Sequence, residues 1–365
     1  MLGLVNAHTH LYSGLAPLGM PVEQGFSPAP FLKILQRVWW RLDRALDDRS
    51  LRAAANLYVA EALLHGTTVV VDHHESPHFI EGSLDVLADA CQSLGMRTLL
   101  CYGATERNGG REEALRGLEE CRRFIRSNMR PLVRGAVGLH ASFTVSDATI
   151  RDAGNMCRAL GAVLHAHLAE DAADVEDAKA RGFAGPLERL ETLGALPPGS
   201  ILAHGVHLDA SQVRRAADLG CWIVQNPRSN RGNGVGYPRA LGESARVALG
   251  TDGYPADMRD ELRALMDDGV ARGEDRRMLS ARLAAGRSLA AERLGLDSPP
   301  APDDEGDDPV AFARTACDRA TRNLVVDGRA VVNGGRLLTG DLEGIRAEAK
   351  VEAARLWRRM SEVEP

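Results

Sequence analysis

His8 and His10, two histidines one residue apart, follow a short apolar run at residues 4–7. Side chains at positions i and i+2 of a β-strand point to the same face. If residues 4–7 form a strand, both imidazoles leave its end in one direction and can hold a metal ion together. A His-x-His pair is weak evidence by itself, so the remaining ligands must come from elsewhere in the chain.

Nine of the eleven histidines lie at or just after the ends of short apolar runs. The residues at these ends are His8 and His10, His73 and His74, His140, His165 and His167 with Glu170, His204 and His207, and Asp252. Histidines scattered through a core would not concentrate at such positions. The pattern therefore predicts one polar site that several elements build together.

The apolar runs alternate with stretches of helical periodicity. Eight runs lie at 3–7, 67–71, 97–101, 135–139, 162–166, 200–203, 221–224 and 246–250. Several helical stretches end at a glycine, namely Gly95, Gly161 and Gly220, as is usual just after a helix. This alternation predicts an α/β fold with a parallel sheet, and eight repeats predict a closed (β/α)8 barrel of the TIM type. The active site of such barrels lies at the carboxyl ends of the strands.

Two parts of the chain depart from a minimal barrel. The first connection, residues 11–51, contains a predicted helix at 31–46, and so long a connection at a barrel mouth usually shapes the site. Residues 297–308 are acidic and rich in proline, as in a solvated linker. We therefore expect a barrel over 1–295, a linker over 296–322, and a small β hairpin plus a helix over 323–365.

Composition excludes several classes of function. The 365 residues carry a formal net charge of −6 and a pI near 6.0, which argues against a nucleic-acid or anionic-membrane partner. No apolar stretch approaches the roughly 18–20 residues of a membrane span, and no signal peptide is visible. The six cysteines form no C-x-x-C pair, so we expect reduced thiols in a cytoplasmic protein. The expected partner is a small-molecule substrate.

Three imidazoles and one carboxylate suit Zn²⁺ or Fe²⁺, which bind nitrogen and oxygen at about 2.0–2.2 Å. A catalytic metal must keep one position for water, whose pKa falls to about 7 when bound. The chemistry then needs a general acid/base that is not itself a ligand. Glu170, three residues after His167, is placed for that role.

Five motifs in one order resemble those of the amidohydrolase superfamily, in the branch of chlorohydrolases, guanine deaminases and other cyclic-amidine aminohydrolases. They are NAHTHLYS at 6–13, HLAE at 167–170, AHGVHL at 203–208, QNPRSN at 225–230 and GTDG at 250–253. Three motifs resemble the SsnA-type aminohydrolases more closely: DHHESP at 72–77, GLHASFTVSD at 138–147 and NPRSNRGNGVG at 226–236. The resemblance extends over residues 1–290 and part of 320–360.

The resemblance implies a role for each matching residue. The implied ligands of a single divalent metal, with Zn²⁺ favoured over Fe²⁺, are His8, His10, His167 and Asp252. Glu170 would carry protons between the water and the leaving nitrogen. His204 would lie beside the attacking water or the substrate heteroatom that it polarises, and Asp252 would also take a proton from that water.

The number of lysines bears on the number of metal ions. Binuclear members of the superfamily bridge their metals with a carboxylated lysine at a strand end. The three lysines of this chain are Lys33, Lys179 and Lys350, and none lies at a predicted strand end. We therefore expect one metal.

Substrate contacts are expected from His140, His73, Arg228 and Ser229. His140 resembles a family residue that touches substrate. His73 could instead cap its strand or orient a metal ligand, and an arginine in a strand-end loop is often a salt-bridge partner. The pair at 39–40, two tryptophans, is either a packed helix face or an aromatic platform for a substrate ring.

The residues and the resemblance together favour an aminohydrolase that cleaves a non-peptide C–N bond of a cyclic amidine or N-heterocycle and releases ammonia. A cyclic amide hydrolase or a chlorohydrolase on the same fold is the first alternative. A non-catalytic scaffold is a lesser alternative, which the retained glutamate and the complete ligand set oppose.

The start of the chain differs from most members of the superfamily. In those proteins a preceding segment pairs with the C-terminal segment in a β-sandwich beside the barrel, whereas this chain begins almost on its first strand. Either the start is assigned too far downstream or the small domain is reduced to half of that sandwich. Strands at 324–326 and 331–332 would then expose a sheet edge, which predicts association into homo-oligomers.

Overall fold

The computed structural model describes residues 3–21, 30–296 and 323–364. Within these ranges we number the strands in chain order. They are β1 Leu4–Thr9, β2 Thr67–His74, β3 Arg97–Ala104, β4 Val133–Gly135, β5 Val137–Ala141, β6 Leu164–Leu168, β7 Ile201–His204, β8 Trp222–Gln225, β9 Val247–Leu249, β10 Asn323–Val326, β11 Arg329–Asn333 and β12 Arg336–Leu337. All eight strands expected from the apolar runs are present.

Eight parallel strands form the barrel, in the order β1, β2, β3, β5, β6, β7, β8 and β9, and β4 pairs with β3 beside them. The ring closes at its mouth, where the N–H of Thr251 donates to the carbonyl oxygen of His8 at 2.9 Å. A β-carbon on Gly250 would lie 2.6 Å from that carbonyl oxygen, so the approach requires glycine. The predicted (β/α)8 barrel is confirmed.

Helices follow the barrel strands and cover them from outside. The longer ones are Asp48–Leu64, Ser83–Leu94, Gly110–Ser127, Asp147–Leu160, Met258–Val270, Arg276–Leu294 and Leu342–Glu362. The shorter α-helices are Ala172–Ala180, Pro186–Thr192, Ala210–Asp218 and Pro227–Gly232, and 3₁₀ turns lie at Leu11–Leu18, Ser142–Thr144 and Leu241–Glu243. None of the described helices is long and apolar enough to span a membrane.

Several barrel strands extend further toward their carboxyl ends than the apolar runs indicated. β2 reaches His74, for example, because the backbone ladder continues past the last apolar residue: His73 pairs with Cys101 and His74 with Tyr102. The polar side chains therefore stand on the last residues of strands rather than on flexible loops after them. This placement holds them rigidly at the mouth.

The first connection and the C-terminal segment lie outside the barrel pattern. Phe31–Ile34, Leu35–Trp39 and Trp40–Ala45 form one helical stretch with a π turn in its middle. At the other end, β10, β11 and β12 form a small antiparallel sheet, and Arg355 on the last helix binds Asp47 at 2.6 Å. The expected linker lies outside the described residues from 297 to 322. The domain boundaries and the association through this sheet stay predictions.

Candidate metal centre and active site

Three imidazoles and one carboxylate converge at the barrel mouth from three strand ends. They are His8 and His10 at the end of β1, His167 in β6, and Asp252 after β9. One ligand atom of each lies within 4.8 Å of the other three. His8 is fully buried, and the side chain of Asp252 is 12% exposed. The structure therefore brings together the four residues that were expected as metal ligands.

Backbone carbonyls orient two of these imidazoles. Nδ1 of His10 lies 2.5 Å from the carbonyl oxygen of His73, and Nδ1 of His167 lies 2.7 Å from that of His140. Because a carbonyl oxygen only accepts, each Nδ1 must carry a hydrogen and donate it. Each Nε2 then serves the shared centre, which is the arrangement that a metal-binding histidine needs.

His8 is oriented by another histidine. Its Nδ1 lies 2.9 Å from Nε2 of His165, whose Nδ1 lies 3.6 Å from the sulfur of Cys101. When Nδ1 of His8 donates to His165, Nε2 of His8 is left as an acceptor. His165 lies two residues before His167 on β6, deeper in the barrel, and acts as a buried support.

The backbone is strained where it turns these side chains inward. Ala169, His204 and Asp252 adopt the left-handed conformation, with φ of +49°, +76° and +53°. Such conformations cost about 1–3 kcal/mol for residues with a β-carbon and gather at functional sites. At Asp252 the turn is stabilised because two consecutive N–H groups, of Thr251 and Asp252, donate to the carbonyl oxygen of His8 at 2.9 and 3.0 Å.

The donor set fits a divalent metal. Nε2 of His8 is buried and has no hydrogen-bond partner among the described residues. Nε2 of His10 lies 3.2 Å from Nε2 of His167 and 2.8 Å from Oδ1 of Asp252. With the Nδ1 hydrogens committed elsewhere, these atoms are all acceptors, so a proton or a cation must lie among them. Three nitrogens and one oxygen suit Zn²⁺ or Fe²⁺.

The pKa values show which of these groups carries a proton without a metal. Burial raises the pKa of Asp252, but the adjacent imidazoles of His10 and His8 outweigh it and hold that pKa well below its usual range. Burial lowers the pKa of His10, yet the hydrogen bond and charge of Asp252 raise it to about 9. Burial lowers the pKa of His8 to about 3. His10 therefore has the highest pKa of these groups, so a proton in the cluster would reside on it.

Glu170 and His204 lie beside this cluster. Nε2 of His204 is 3.6 Å from Oε2 of Glu170, and its Nδ1 is 2.9 Å from Oδ1 of Asn230. Asn233 donates from Nδ2 to Oε1 of Glu170 at 3.3 Å. Burial and then the charge of Asp252 raise the pKa of Glu170 well above its usual range. A carboxyl group with a raised pKa at this place is suited to accept and return a proton.

An aromatic cavity opens above the cluster and encloses about 600 Å³, including its mouth. Its aromatic walls are Tyr12, Phe31, Trp39, Trp40, His140 and Phe143. His140, expected as a substrate contact, is fixed by Thr144, whose Oγ1 lies 3.0 Å from Nδ1. Since both tryptophans line the cavity, the platform is favoured over the packed helix face. Walls of this kind suit a planar ring.

Arg228, also expected to contact substrate, does not line this cavity. Its Nε donates to Oε1 of Glu261 at 2.5 Å, and its guanidinium lies 5.6 Å from the ring centre of Tyr254. The buried carboxylate of Glu261 holds the arginine away from the site, so the structure does not support the expected contact. The alternative reading of Arg228, a salt-bridge partner, describes it correctly.

Ser229 and His73 lie next to the cluster of four expected ligands and support it. The hydroxyl of Ser229 donates to Oδ2 of Asp252 in a short hydrogen bond. Nε2 of His73 lies 3.0 Å from the carbonyl oxygen of Leu139, while the carbonyl of His73 itself orients His10. His73 does not line the cavity, which favours its reading as a support for a ligand over a substrate contact.

Sequence reasoning missed two carboxylates and one amide of the cavity, which are Glu75, Asp174 and Asn233. Glu75 directly follows β2, and its side chain is 4% exposed. Burial raises the pKa of Glu75, but the contact with His73 outweighs it and holds that pKa well below the usual range. The position of Glu75 at a strand end could have identified it. Asn233 follows the short helix Pro227–Gly232 and lies within the motif at 226–236, which could have drawn attention to it.

Comparisons with known proteins agree with this geometry. The sequence model of the amidohydrolase family matches residues 1–288. A 5′-deoxyadenosine deaminase from Methanopyrus kandleri is 27% identical over 94% of this chain and 84% of its own length. An 8-oxoguanine deaminase from Pseudomonas aeruginosa is 32% identical over 69% of this chain and 59% of its own. An adenosine deaminase from Xanthomonas campestris, solved with bound zinc, shares the fold, with a TM-score of 0.79 at 24% identity over 100% of this chain and 86% of that one.

Proposed function

We propose that this chain, which belongs to the amidohydrolase family and hydrolyses carbon–nitrogen bonds other than peptide bonds, removes an amino group from a planar N-heterocycle with the help of one zinc ion. The observation that carries the proposal is the convergence of four ligand atoms within 4.8 Å of one another. They belong to His8, His10, His167 and Asp252. Glu170 and His204 lie directly beside them.

The protein holds the four ligands in place before any metal arrives. When bound, a divalent metal supplies a Lewis acid that lowers the pKa of water to about 7. The carbonyls of His73 and His140 keep Nε2 of His10 and His167 available, and His165 does the same for His8. Rigid supports of this kind typically contribute 10- to 100-fold in metal affinity or activity.

Glu170 is the proton carrier in this proposal. Its carboxylate accepts a proton from the attacking water as the new C–O bond forms, and it delivers the proton to the ring nitrogen. The hydroxyl of the resulting adduct then gives its proton to Asp252, and this second proton passes through Glu170 to the amine as the C–N bond breaks, so that ammonia leaves and the ring gains a carbonyl. Asn233 fixes Oε1 of Glu170, which leaves Oε2 on the side of His204.

His204 and Asp252 assist at the oxygen atom of the attacking water. Since Nδ1 of His204 donates to Asn230, its Nε2 can accept a hydrogen bond from the water or, when protonated, stabilise the oxygen that replaces the amine. Asp252 lies within hydrogen-bond range of the same place and would take a proton from the water. The positive φ of both residues aims their side chains at this point.

One metal is favoured over two. The described residues form three further groups that could hold a metal: His10, His73 and Glu75; Glu75, His140 and His167; and Glu170, His204 and Asp252. Each of these groups shares a residue with the four-ligand cluster, so none supplies an independent second site. Zinc is favoured because imidazole nitrogens and a carboxylate suit it and because the Xanthomonas deaminase carries zinc.

The test is metal analysis followed by an ammonia-release screen. Zinc-loaded protein is expected to hold one zinc per chain and to release ammonia from at least one aminopurine, aminopyrimidine, pterin or aminotriazine. His10→Ala should lose the zinc, whereas the exposed control His207→Ala should keep it. Ring opening without ammonia would indicate a cyclic amide hydrolase, and chloride release a chlorohydrolase. A protein that holds zinc and converts none of these compounds would contradict the proposal.

A further inference from the structure

Glu75 is a buried carboxylate on the cavity wall that the proposed mechanism does not use. It lines the cavity together with Trp40 and His140, and its side chain is 4% exposed. One of its oxygens lies within 4.8 Å of a ring nitrogen of both His140 and His167. Glu75 is therefore close enough to the four-ligand cluster to contact a substrate that is held there.

The protein satisfies this carboxylate only in part. The hydroxyl of Tyr12 donates to Oε2 at 3.1 Å. Nδ1 of His73 lies 2.9 Å from Oε1, and both atoms are buried. A carboxylate has about four lone-pair sites, and buried polar groups are normally satisfied. Oε1 is buried beside His73 and Gly103, so the acceptor capacity that a ligand can fill is the second lone pair of Oε2.

The described walls around Glu75 contain carboxylates and no basic side chain other than the histidines. Among the described residues that line the cavity, the acids are Glu75, Glu170, Asp174 and Asp252, and neither lysine nor arginine is present. The guanidinium of Arg107 is paired with Asp43 at 2.9 Å. An anionic substituent placed beside Glu75 would therefore meet a carboxylate, with no lysine or arginine among the described lining residues to attract it.

We propose that Glu75 determines substrate specificity: its carboxylate accepts a hydrogen bond from an N–H or O–H group of the heterocycle or its substituent, away from the carbon that is attacked. The site accordingly selects uncharged or cationic substrates with a donor at that position, and it rejects substrates with a carboxylate or phosphate there. This inference rests on the proposed function. A buried acceptor left without its donor discriminates strongly, because the analogue that lacks the donor leaves the acceptor unpaired.

A purely structural role for Glu75 makes a different prediction. Glu75 contacts His73, whose carbonyl orients His10, so a structural role predicts that Glu75→Gln loses zinc and slows every substrate equally. A specificity role predicts retained zinc and a change confined to particular substrates. Glutamine keeps the shape of the side chain but replaces one acceptor oxygen with a donor and removes the charge.

The experiment compares zinc-loaded wild type, Glu75→Gln and the control Glu176→Gln, which removes the same charge from the exposed face of helix Ala172–Ala180. The substrates are the best compound of the ammonia screen, derivatives with each N–H or O–H methylated in turn, and one derivative that carries a carboxylate. In wild type and Glu176→Gln, methylation of one donor should lower kcat/KM at least tenfold, and the carboxylate derivative should be rejected. In Glu75→Gln the methylation penalty should fall below threefold, and relative activity on the carboxylate derivative should rise at least fivefold.

The inference would be overturned if the ratios of kcat/KM between substrates are the same in Glu75→Gln as in the wild type. It would also be overturned if Glu75→Gln loses its zinc and its activity falls equally on every substrate. If the wild type releases ammonia from none of the compounds, the proposed function fails separately. Equilibrium binding of adenosine, 9-methyladenine and adenosine 5′-monophosphate to the same zinc-loaded proteins then tests Glu75 without turnover. If the wild type binds adenosine more tightly than it binds the other two compounds, and Glu75→Gln has lost that preference, the inference is supported. Equal ratios of the three dissociation constants in both proteins, or no binding of any compound, would overturn it.

Discussion

The two sides of the cavity differ in how their polar atoms are satisfied. On the metal side, formed by the four-ligand cluster with Glu170 and His204, the Nδ1 atoms of His10, His167 and His204 each have an acceptor 2.5–2.9 Å away. The atoms without a partner on this side, among the described residues, are Nε2 of His8 and Nε2 of His204, which belong to the groups that could hold a metal. On the substrate side, formed by Trp40, Glu75 and His140, Nε1 of Trp40 and Oε1 of Glu75 have no hydrogen-bond partner among the described residues.

This difference separates two requirements of the same site. Groups that hold a metal and move protons must be fixed before the reaction, because reorganising them during it would cost activation energy. Groups that choose a substrate work best when they keep a bonding capacity that only the right substrate fills. The predictions below test whether the two sides really have these separate roles.

Glu170→Gln should give the largest effect. A glutamine cannot accept and return a proton, so we expect kcat to fall about 10³-fold, within the range usual for a general acid/base. Zinc content should stay at one per chain, because Glu170 is not a ligand in the proposal. Steady-state ammonia release and metal analysis measure both, with Glu176→Gln as the control. A variant that turns over at more than a tenth of the wild-type rate would exclude Glu170 as the proton carrier.

His165→Ala should weaken zinc binding about 10- to 100-fold, the range for residues that orient metal ligands. His165 contributes no atom to the cluster, but it accepts from Nδ1 of His8 at 2.9 Å. Competition with a zinc chelator measures the affinity, and the exposed His207→Ala removes a histidine without removing this support. Equal affinities in wild type and His165→Ala would show that the metal side does not depend on this hydrogen bond.

Zinc affinity should rise with pH, by about tenfold per unit in the dissociation constant up to pH 9. Asp252 raises the pKa of His10 to about 9 in the metal-free protein, so below pH 9 a proton competes with the metal for His10. His8, with a pKa of about 3, adds no such competition. Chelator competition between pH 7 and 10 checks the slope and its loss above pH 9. A flat profile would mean that no proton occupies the cluster.

Trp40→Ala should have the smallest effect and should act on binding alone. Trp40 lines the cavity, and its ring centre lies 6.4 Å from that of His140. Loss of stacking worth about 0.5–1.5 kcal/mol should raise KM about three- to tenfold, while kcat stays within about twofold. Trp40→Phe should restore most of the binding. A fall in kcat equal to the rise in KM would show that the two sides are not separable.

Much of the site was accessible from the order of residues. The strand-end position of His8, His10, His167 and Asp252 predicted one shared cluster, because parallel strands in a barrel all end at the same mouth. The prediction for Arg228 failed for a reason that sequence does not contain: Glu261, which follows it by 33 positions, folds back as a buried partner. Chain separation of this size hides which charges will pair.

The sequence by itself determined the barrel and the meeting of polar strand ends at its mouth, since both depend on residue type, local periodicity and order along the chain. The metal ligands and the proton carrier, which the resemblance implies, stay predictions. Only the tertiary structure decided which nitrogen of each histidine faces the centre, because the carbonyls of His73 and His140 that set the tautomers are contributed by neighbouring strands. The tertiary structure also decided how the polar atoms of the substrate side are satisfied. Glu75 retains acceptor capacity through the three-dimensional arrangement of Tyr12 and His73 around it, and no pattern in the sequence records how many partners a buried carboxylate will find.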